Sequence, residues 1–221
     1  MSATVSPPLV LASASPRRRE LLSGLGLSFE IDVPDVDETP VAGEAPDAMV
    51  LRLARSKARA VAARRHPASA DAAAPADAAA SGGGEAGSAG AFAWPLVIAA
   101  DTTVVLDGES LGKPRDVEEA AAFVARLSGR DHWVHTGHAL RLGEREATVL
   151  RSTRVRFRPL DAAEIADYAA TGEGLDKAGG YAIQGLGATL IDAIDGCYGA
   201  VVGLSLPAVL LAARELGVRL V

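Results

Sequence analysis

Cysteine is nearly absent. Cys197 is the only one in 221 residues, so no internal disulfide can form, and no Cys/His cluster with zinc spacing accompanies it. A chain without disulfides fits a reducing cytoplasm. Aromatic residues are scarce at 4%, which leaves Val, Leu, Ile and Ala to build the core. Positive charge is in deficit: 22 Lys and Arg stand against 28 Asp and Glu, a net charge of -6. That balance argues against a general surface for polymeric nucleic acid or an anionic membrane, because both require clustered positive charge. Any basic cluster must therefore be local. No window approaches the roughly 20 uninterrupted apolar residues of a membrane helix. Met1 to Pro8 lacks the basic stretch and apolar run of a secretory leader, so a cytoplasmic, membrane-free protein is expected. Walker and dinucleotide-binding glycine patterns are missing too. Cys197 has no evident base partner and Ser13 no Ser-His-Asp context, which speaks against covalent catalysis.

What is present is ordinary globular material, 49% hydrophobic and 23% charged, enough for one substantial domain spanning 1–221. Leu9-Val10-Leu11-Ala12 reads as a strand. Ser13, Ser15 and Pro16 then open a helix carrying Leu21, Leu22 and Leu25, with exit at Gly24 and Gly26. Asp32 to Glu44 is polar loop or irregular strand. From Pro46 a second helix places Val50, Leu53, Ala54, Lys57, Ala58 and Val61 on one face. Residues from about 66 to 91 are almost wholly Ala, Gly, Ser, Pro and Asp and read as a flexible, dispensable insert.

Leu96 to Ala100 has the unalternating apolar pattern of a strand buried on both faces and ends at Asp101. Thr103 to Leu106 continue as strand to an Asp107-Gly108 turn, and Asp116 caps a helix through Leu127. Strands over roughly 132–142 and 147–158 follow, joined through Gly143. Asp161 with Glu164 forms a capping box for a helix reaching Ala170. After the glycine-rich Leu175 to Gly187 come a strand near Thr189 to Ile194, an Asp195-Gly196 turn and a last helix from about Leu206 to Leu216. Strands alternating with helices, plus one antiparallel pair, predict an α/β fold: a central mixed twisted sheet flanked by helices.

Several residues could carry chemistry. Ser13-Ala14-Ser15-Pro16-Arg17-Arg18-Arg19 combines a helix start, hydroxyls and arginines, and is either an anion site or a capped helix with solvated arginines. Asp101, at the carboxyl end of a buried strand, could bind a divalent metal, take a proton from water, or cap a turn. Lys57 either snorkels past the core edge or points into a polar pocket, and Lys113 is a loop charge or a phosphate ligand. In Asp176-Lys177-Ala178-Gly179-Gly180-Tyr181-Ala182-Ile183-Gln184-Gly185, glycines permit close backbone approach and the Gln184 amide can pair with a base edge; a plain glycine turn looks similar. Asp35, Asp37 and Glu38 form either a solvated acidic run or a source of a metal ligand. His132, His135 and His138 alternate faces along one strand, which argues against a shared metal.

Taken together and in order, Leu11-Ala12-Ser13-Ala14-Ser15-Pro16-Arg17-Arg18, Val36-Asp37-Glu38, Arg55-Ser56-Lys57-Ala58, Ala100-Asp101-Thr102, Gly112-Lys113-Pro114 and the Asp176 to Gly185 stretch resemble the motifs of the Maf family, from Leu9 to Leu216 apart from the insert. The resemblance implies a Maf/ITPase-like fold. It also implies a cytoplasmic nucleoside triphosphate pyrophosphatase that cleaves between the α- and β-phosphates with a divalent metal, Mg²⁺ or Mn²⁺, cleansing the nucleotide pool. It casts Asp101 as proton acceptor and Arg17, Thr102 and Gln184 as substrate-selecting positions. The Ala-Asp-Thr and Asp-Lys-Ala-Gly…Ile-Gln-Gly forms look like the branch acting on dTTP and UTP. The 7-methyl-GTP branch has Trp at the position of Arg17. Ser13, Arg17, Arg18, Lys57, Lys113, Asp176 and Lys177 are then expected around the triphosphate, and Glu38 with Asp101 around the metal. A homodimer is likewise an expectation from the family, and a nucleotide-binding regulator of septum formation is the alternative role.

Overall fold

The computed structural model describes residues 7–65 and 94–221, so the insert expected over 66–91 lies outside the described residues. The chain runs β1 (Leu9–Leu11), α1 (Pro16–Ser23), β2 (Glu30–Ile31), α2 (Pro46–Arg64), β3 (Leu96–Leu106), β4 (Glu109–Leu111), α3 (Val117–Leu127), β5 (Asp131–Leu142) and β6 (Arg145–Phe157). It continues with α4 (Ala162–Ala170), β7 (Ile191–Asp195), α5 (Tyr198–Val202) and α6 (Leu206–Glu215). Two short 3-10 turns, Ala178–Gly180 and Gly185–Leu190, precede β7. All seven strands join one sheet of order β2-β1-β3-β5-β6-β7, with β4 added to β3.

The mixed sheet flanked by helices is as expected, but its balance is not. Only β1–β2 and β1–β3 are parallel, whereas β3–β4, β3–β5, β5–β6 and β6–β7 are antiparallel. Two-residue β2 and three-residue β4 are too short to leave a periodic signal, as is the five-residue α5. The last strand begins at Ile191 because Thr189 belongs to the preceding 3-10 turn.

Alternation along β3 splits the core. Leu96, Ile98 and Ala100 pack with Leu22 of α1 and with Ala208, Val209, Ala212 and Ala213 of α6. Val97 and Ala99 face the other way, against Ala54, Ala58 and Val61 of α2. Further along, Val104 and Leu106 join a third cluster with Val124, Leu127, Val134, Phe157 and Tyr168, under α3 and α4. The caps read from sequence are made: Asp116 accepts from the Glu119 N–H, and Asp161 with Glu164 closes a reciprocal box.

One arrangement matters most for function. β1 pairs with residues 96–98 of β3 and β4 with residues 104–106, on the edge of β3 opposite β5. Residues 99–103 lack a strand partner on that edge. Asp101 therefore does not end a strand, as the sequence suggested; it sits mid-strand, just beyond the carboxyl end of β1. A crevice outside the carboxyl end of a parallel strand is where open α/β sheets hold ligands.

Directly across from Asp101 on β5 is Gly137. A Cβ there would lie 2.5 Å from the Val50 carbonyl oxygen, so the absent side chain lets α2 settle onto the sheet beside Asp101. Gly137→Ala must lift α2; a loss of about 1–3 kcal/mol in urea unfolding is expected.

The strand histidines have separate fates. His138 is fully buried, its Nε2 accepting the Ser205 N–H at 2.8 Å, so Nδ1 carries the proton given to the Val149 carbonyl at 3.1 Å. His132 bonds the Tyr181 hydroxyl at 2.7 Å, and His135 on the opposite face meets Ser152. Burial lowers both His132 and His138 from 6.5 to about 4. Between those values the unfolded chain binds protons that the native chain refuses. Stability is therefore full above about pH 6.5 and falls as pH drops toward 4, by up to about 3 kcal/mol per histidine. Denaturant melts from pH 7 to 4.5 should show this decline, and His138→Gln should flatten it.

Candidate active site

A cavity of about 630 Å³ opens over the unpaired stretch of β3, and the residues expected around the substrate and metal line it: Ser13, Arg17, Arg18, Glu38, Lys57, Asp101, Thr102, Lys113, Asp176, Lys177 and Gln184. Asp35 and Asp37 do not; the Asp37 carboxylate instead accepts the Thr39 N–H, leaving Glu38 as the acid of that loop that reaches the cleft.

The near wall is the β1–α1 junction. Pro16 occupies the first helical turn and Ser15 is the N-cap, its hydroxyl accepting the Arg18 N–H at 3.4 Å. Ser13 is buried, and its Oγ accepts from the Ser15 N–H at 3.1 Å. With that oxygen oriented by a backbone donor, its own proton is left to give to a ligand.

Arg18 closes the gap in the sheet. Its guanidinium donates to the Ala100 carbonyl at 2.7 Å, the Gly203 carbonyl at 2.8 Å and Thr102 Oγ1 at 3.1 Å. Thr136 gives its only hydroxyl proton to the Ala200 carbonyl at 2.7 Å, so Thr102, 3.0 Å away, must donate to Thr136. Thr102 is thereby bound into a chain running Arg18, Thr102, Thr136, Ala200. Its hydroxyl has a lone pair to offer a ligand but no proton. Burial pulls the Arg18 guanidinium below its ordinary value, opposed by the nearby Asp101 carboxylate. Thr136 and Gly203 were not foreseen; nothing in their sequence neighbourhoods distinguishes them.

On the other sheet face α2 delivers Lys57. It belongs to the buried stripe of that helix and is 7% exposed. The ammonium contacts Asp101 Oδ1 at 2.6 Å and Glu38 Oε1 at 2.7 Å. Lys57 thus points into a polar pocket, the second of the two readings its position allowed. Partial burial raises the Glu38 carboxyl, but the Lys57 hydrogen bond and the charges of Lys57, Lys113 and Arg18 prevail and hold it below the usual range.

The far wall is the glycine-rich loop. Asp176 receives Arg17 at 3.2 Å on one oxygen and Lys177 at 2.5 Å on the other. The Gly179 N–H donates to the Gly112 carbonyl at 3.0 Å, tying this loop to the turn that carries Lys113. Neither Lys113 nor the Gln184 amide bonds another side chain among the described residues.

Five cations, Arg17, Arg18, Lys57, Lys113 and Lys177, face three carboxylates, Glu38, Asp101 and Asp176. An acidic protein thus carries a locally basic cleft suited to a polyanion. The donor set also fits a divalent cation. No group of three or more His, Cys, Asp and Glu converges among the described residues, but Asp101 and Glu38 oxygens lie close enough to share one ammonium. Two carboxylates completed by phosphate oxygens and water are what Mg²⁺ ordinarily accepts. Among the described residues no helix is long and apolar enough to cross a membrane.

The chain is similar to known proteins along most of its length. Residues 8–216 match the family described as Maf-like protein. A dTTP/UTP pyrophosphatase of Myxococcus xanthus is 52% identical over 198 residues, covering 90% of this chain and 87% of that protein. One from Symbiobacterium thermophilum is 46% identical over 198 residues, covering 90% and 88%. Another, from Desulforamulus reducens, is 42% identical over 217 residues, covering 97% and 99%.

Replacing Lys57 by Met would leave Asp101 largely buried without its counter-charge. Loss of one partner of a buried ion pair costs on the order of 3 kcal/mol. Urea unfolding of Lys57→Met should register that loss, and Lys57→Met/Asp101→Asn should recover part of it.

Proposed function

The chain belongs to the Maf family, and from that membership and the chemistry of the cleft we propose that it hydrolyses dTTP and UTP, or modified pyrimidine counterparts, to the nucleoside monophosphate and pyrophosphate. Its role is to keep non-standard nucleotides out of nucleic acid. The observation that carries this reading is the Lys57–Asp101 contact at 2.6 Å on the floor of a cleft with an excess of cations. A binder of phosphate needs the cations; a buried carboxylate among them serves to hold a metal or accept a proton.

The residues divide the work by position. Ser13, Arg17, Lys113 and Lys177 grip the phosphates, where arginine offers a two-pronged match and lysine a point charge. Arrival of the polyanion draws Arg17 and Lys177 away from Asp176, and Lys57 away from Asp101 and Glu38, toward the phosphate oxygens. Arg18 keeps the floor rigid through its carbonyl bonds while adding its charge. Asp101 takes the proton of the attacking water. The water oxygen bonds to phosphorus, the bridging P–O bond between the α- and β-phosphates breaks, and pyrophosphate departs with its charge met by the lysines. Asp101 and Glu38 would hold Mg²⁺ or Mn²⁺, which supplies Lewis-acid polarisation of phosphate oxygens and a more acidic water. The Gln184 amide, one acceptor and one donor, complements the N3–H and O4 edge that uracil and thymine share.

Purified protein incubated with separate nucleotides and Mg²⁺ or Mn²⁺ should release pyrophosphate from dTTP and UTP. Release of orthophosphate alone, or no turnover of any pyrimidine triphosphate, refutes the reading. Binding without turnover would favour the regulator of septum formation, and a preference for 7-methyl-GTP the other branch. Asp101→Asn should lower kcat by at least about 10²-fold, in line with loss of a general base, while remaining folded at the assay temperature because Glu38 still pairs with Lys57.

A further inference from the structure

Gln184 sits on a loop whose backbone is held from behind by two residues that do not line the cleft. Glu173, just after α4, directs both carboxylate oxygens at it: Oε1 accepts the Leu186 N–H at 3.0 Å and Oε2 the Gly187 N–H at 2.8 Å. Tyr168, on α4, accepts the Ala182 N–H on its hydroxyl at 3.0 Å. The three donors bracket Gln184 on both sides. The fit is close: at Gly185, where φ is +64°, a Cβ would come within 2.0 Å of Glu173 Oε1, and at Gly187 one would meet the Ala182 carbonyl and the Tyr168 hydroxyl. The glycines of this loop thus make room for the brace.

Glu173 is itself anchored to the phosphate end of the cleft. Its N–H donates to Thr171 Oγ1 at 3.1 Å, and its carbonyl accepts from the Lys177 ammonium. One residue therefore holds a cation of the phosphate site through its main chain and the base-reading loop through its side chain.

We propose that Glu173 is a positioning residue for nucleotide selection, fixing the distance between the Gln184 amide and the phosphate-binding cations so that the base edge is read in register. The proposal rests on the pyrimidine triphosphatase reading above. Hydrogen bonds to a charged acceptor are stronger than neutral ones, so a carboxylate is the acceptor suited to two backbone N–H groups at once. A glutamine in its place has one oxygen to offer and turns an N–H toward the second donor. The loop should then shift or loosen while Asp101, Lys57 and the main-chain link to Lys177 stay as they are.

The test measures kcat and KM for UTP, CTP and methyl triphosphate, which has no base, with wild type, Glu173→Gln, Tyr168→Phe, Gln184→Ala and the Glu173→Gln/Gln184→Ala double variant. Glu173→Gln should lower the UTP-over-CTP ratio of kcat/KM by about tenfold, chiefly through KM, the size expected when a polar contact to the base is lost. The double variant should be no less selective than Gln184→Ala, because both changes remove one function. Methyl triphosphate turnover should stay within about twofold. An unchanged ratio, or equal losses on all three substrates, would overturn the proposal and leave Glu173 a stabilising cap. If Glu173→Gln melts below the assay temperature, Tyr168→Phe, which removes the acceptor for Ala182 and the hydroxyl that contacts Glu173, decides by the same ratio. A wild type that turns over no pyrimidine triphosphate overturns the activity reading instead, and the UTP-to-CTP binding ratio measured by calorimetry then decides the role of Glu173.

Discussion

A strand paired along one edge only at its two ends must satisfy the backbone between them by other means. β3 is in that position: β1 holds residues 96–98 and β4 residues 104–106, and the polar groups between face a crevice. Buried backbone groups left unpaired are costly, so something has to fill the gap. Arg18 does, through the Ala100 carbonyl, and it extends the closure to Gly203 and Thr102. The same gap that demands this repair exposes Asp101 to a ligand. Stability of the sheet and access to the reacting group are thus two consequences of one mismatch in strand length.

Electrostatics follow from that geometry. Arg18 brings a charge to the floor with carbonyls and hydroxyls as its direct partners, so its field acts on whatever enters. Three of the other cations pair with carboxylates: Lys57 with Asp101 and Glu38, Arg17 and Lys177 with Asp176. Such pairs hold long side chains near the place where phosphate must be met, which lowers the ordering cost of binding. Because Lys57 comes from the buried stripe of α2, its height is set by the Val50–Gly137 approach rather than by surface flexibility.

Much of this was legible in the chain. The stripe Val50, Leu53, Ala54, Lys57, Ala58 and Val61 was readable as one helical face, and the structure buries those same residues. Asp116, Asp161 and Ser15 cap helices where their spacing placed them, because capping is a local hydrogen bond between near neighbours in sequence. The residues expected around the triphosphate all line one cavity. Less legible were β2, β4 and α5, each too short for a period, and the extent of antiparallel pairing, which depends on contacts between segments far apart in sequence. Asp101 looked terminal because its polarity breaks an apolar run, yet β3 continues through it with β5 alongside.

The sequence by itself determined the longer helices, their caps, the apolar strands and the set of charged residues available, because each depends on chemistry within a few positions of the chain. Only the tertiary structure decided their partners. It made Lys57 the counter-ion of Asp101 and Glu38, and Arg18 the pin of an open sheet edge. It committed the Thr102 hydroxyl proton to Thr136, and set Glu173 behind Gln184. Those partnerships join residues separated by up to 185 positions. Charge and hydrogen-bonding capacity are local properties, whereas the partner that meets them is fixed by the path of the backbone.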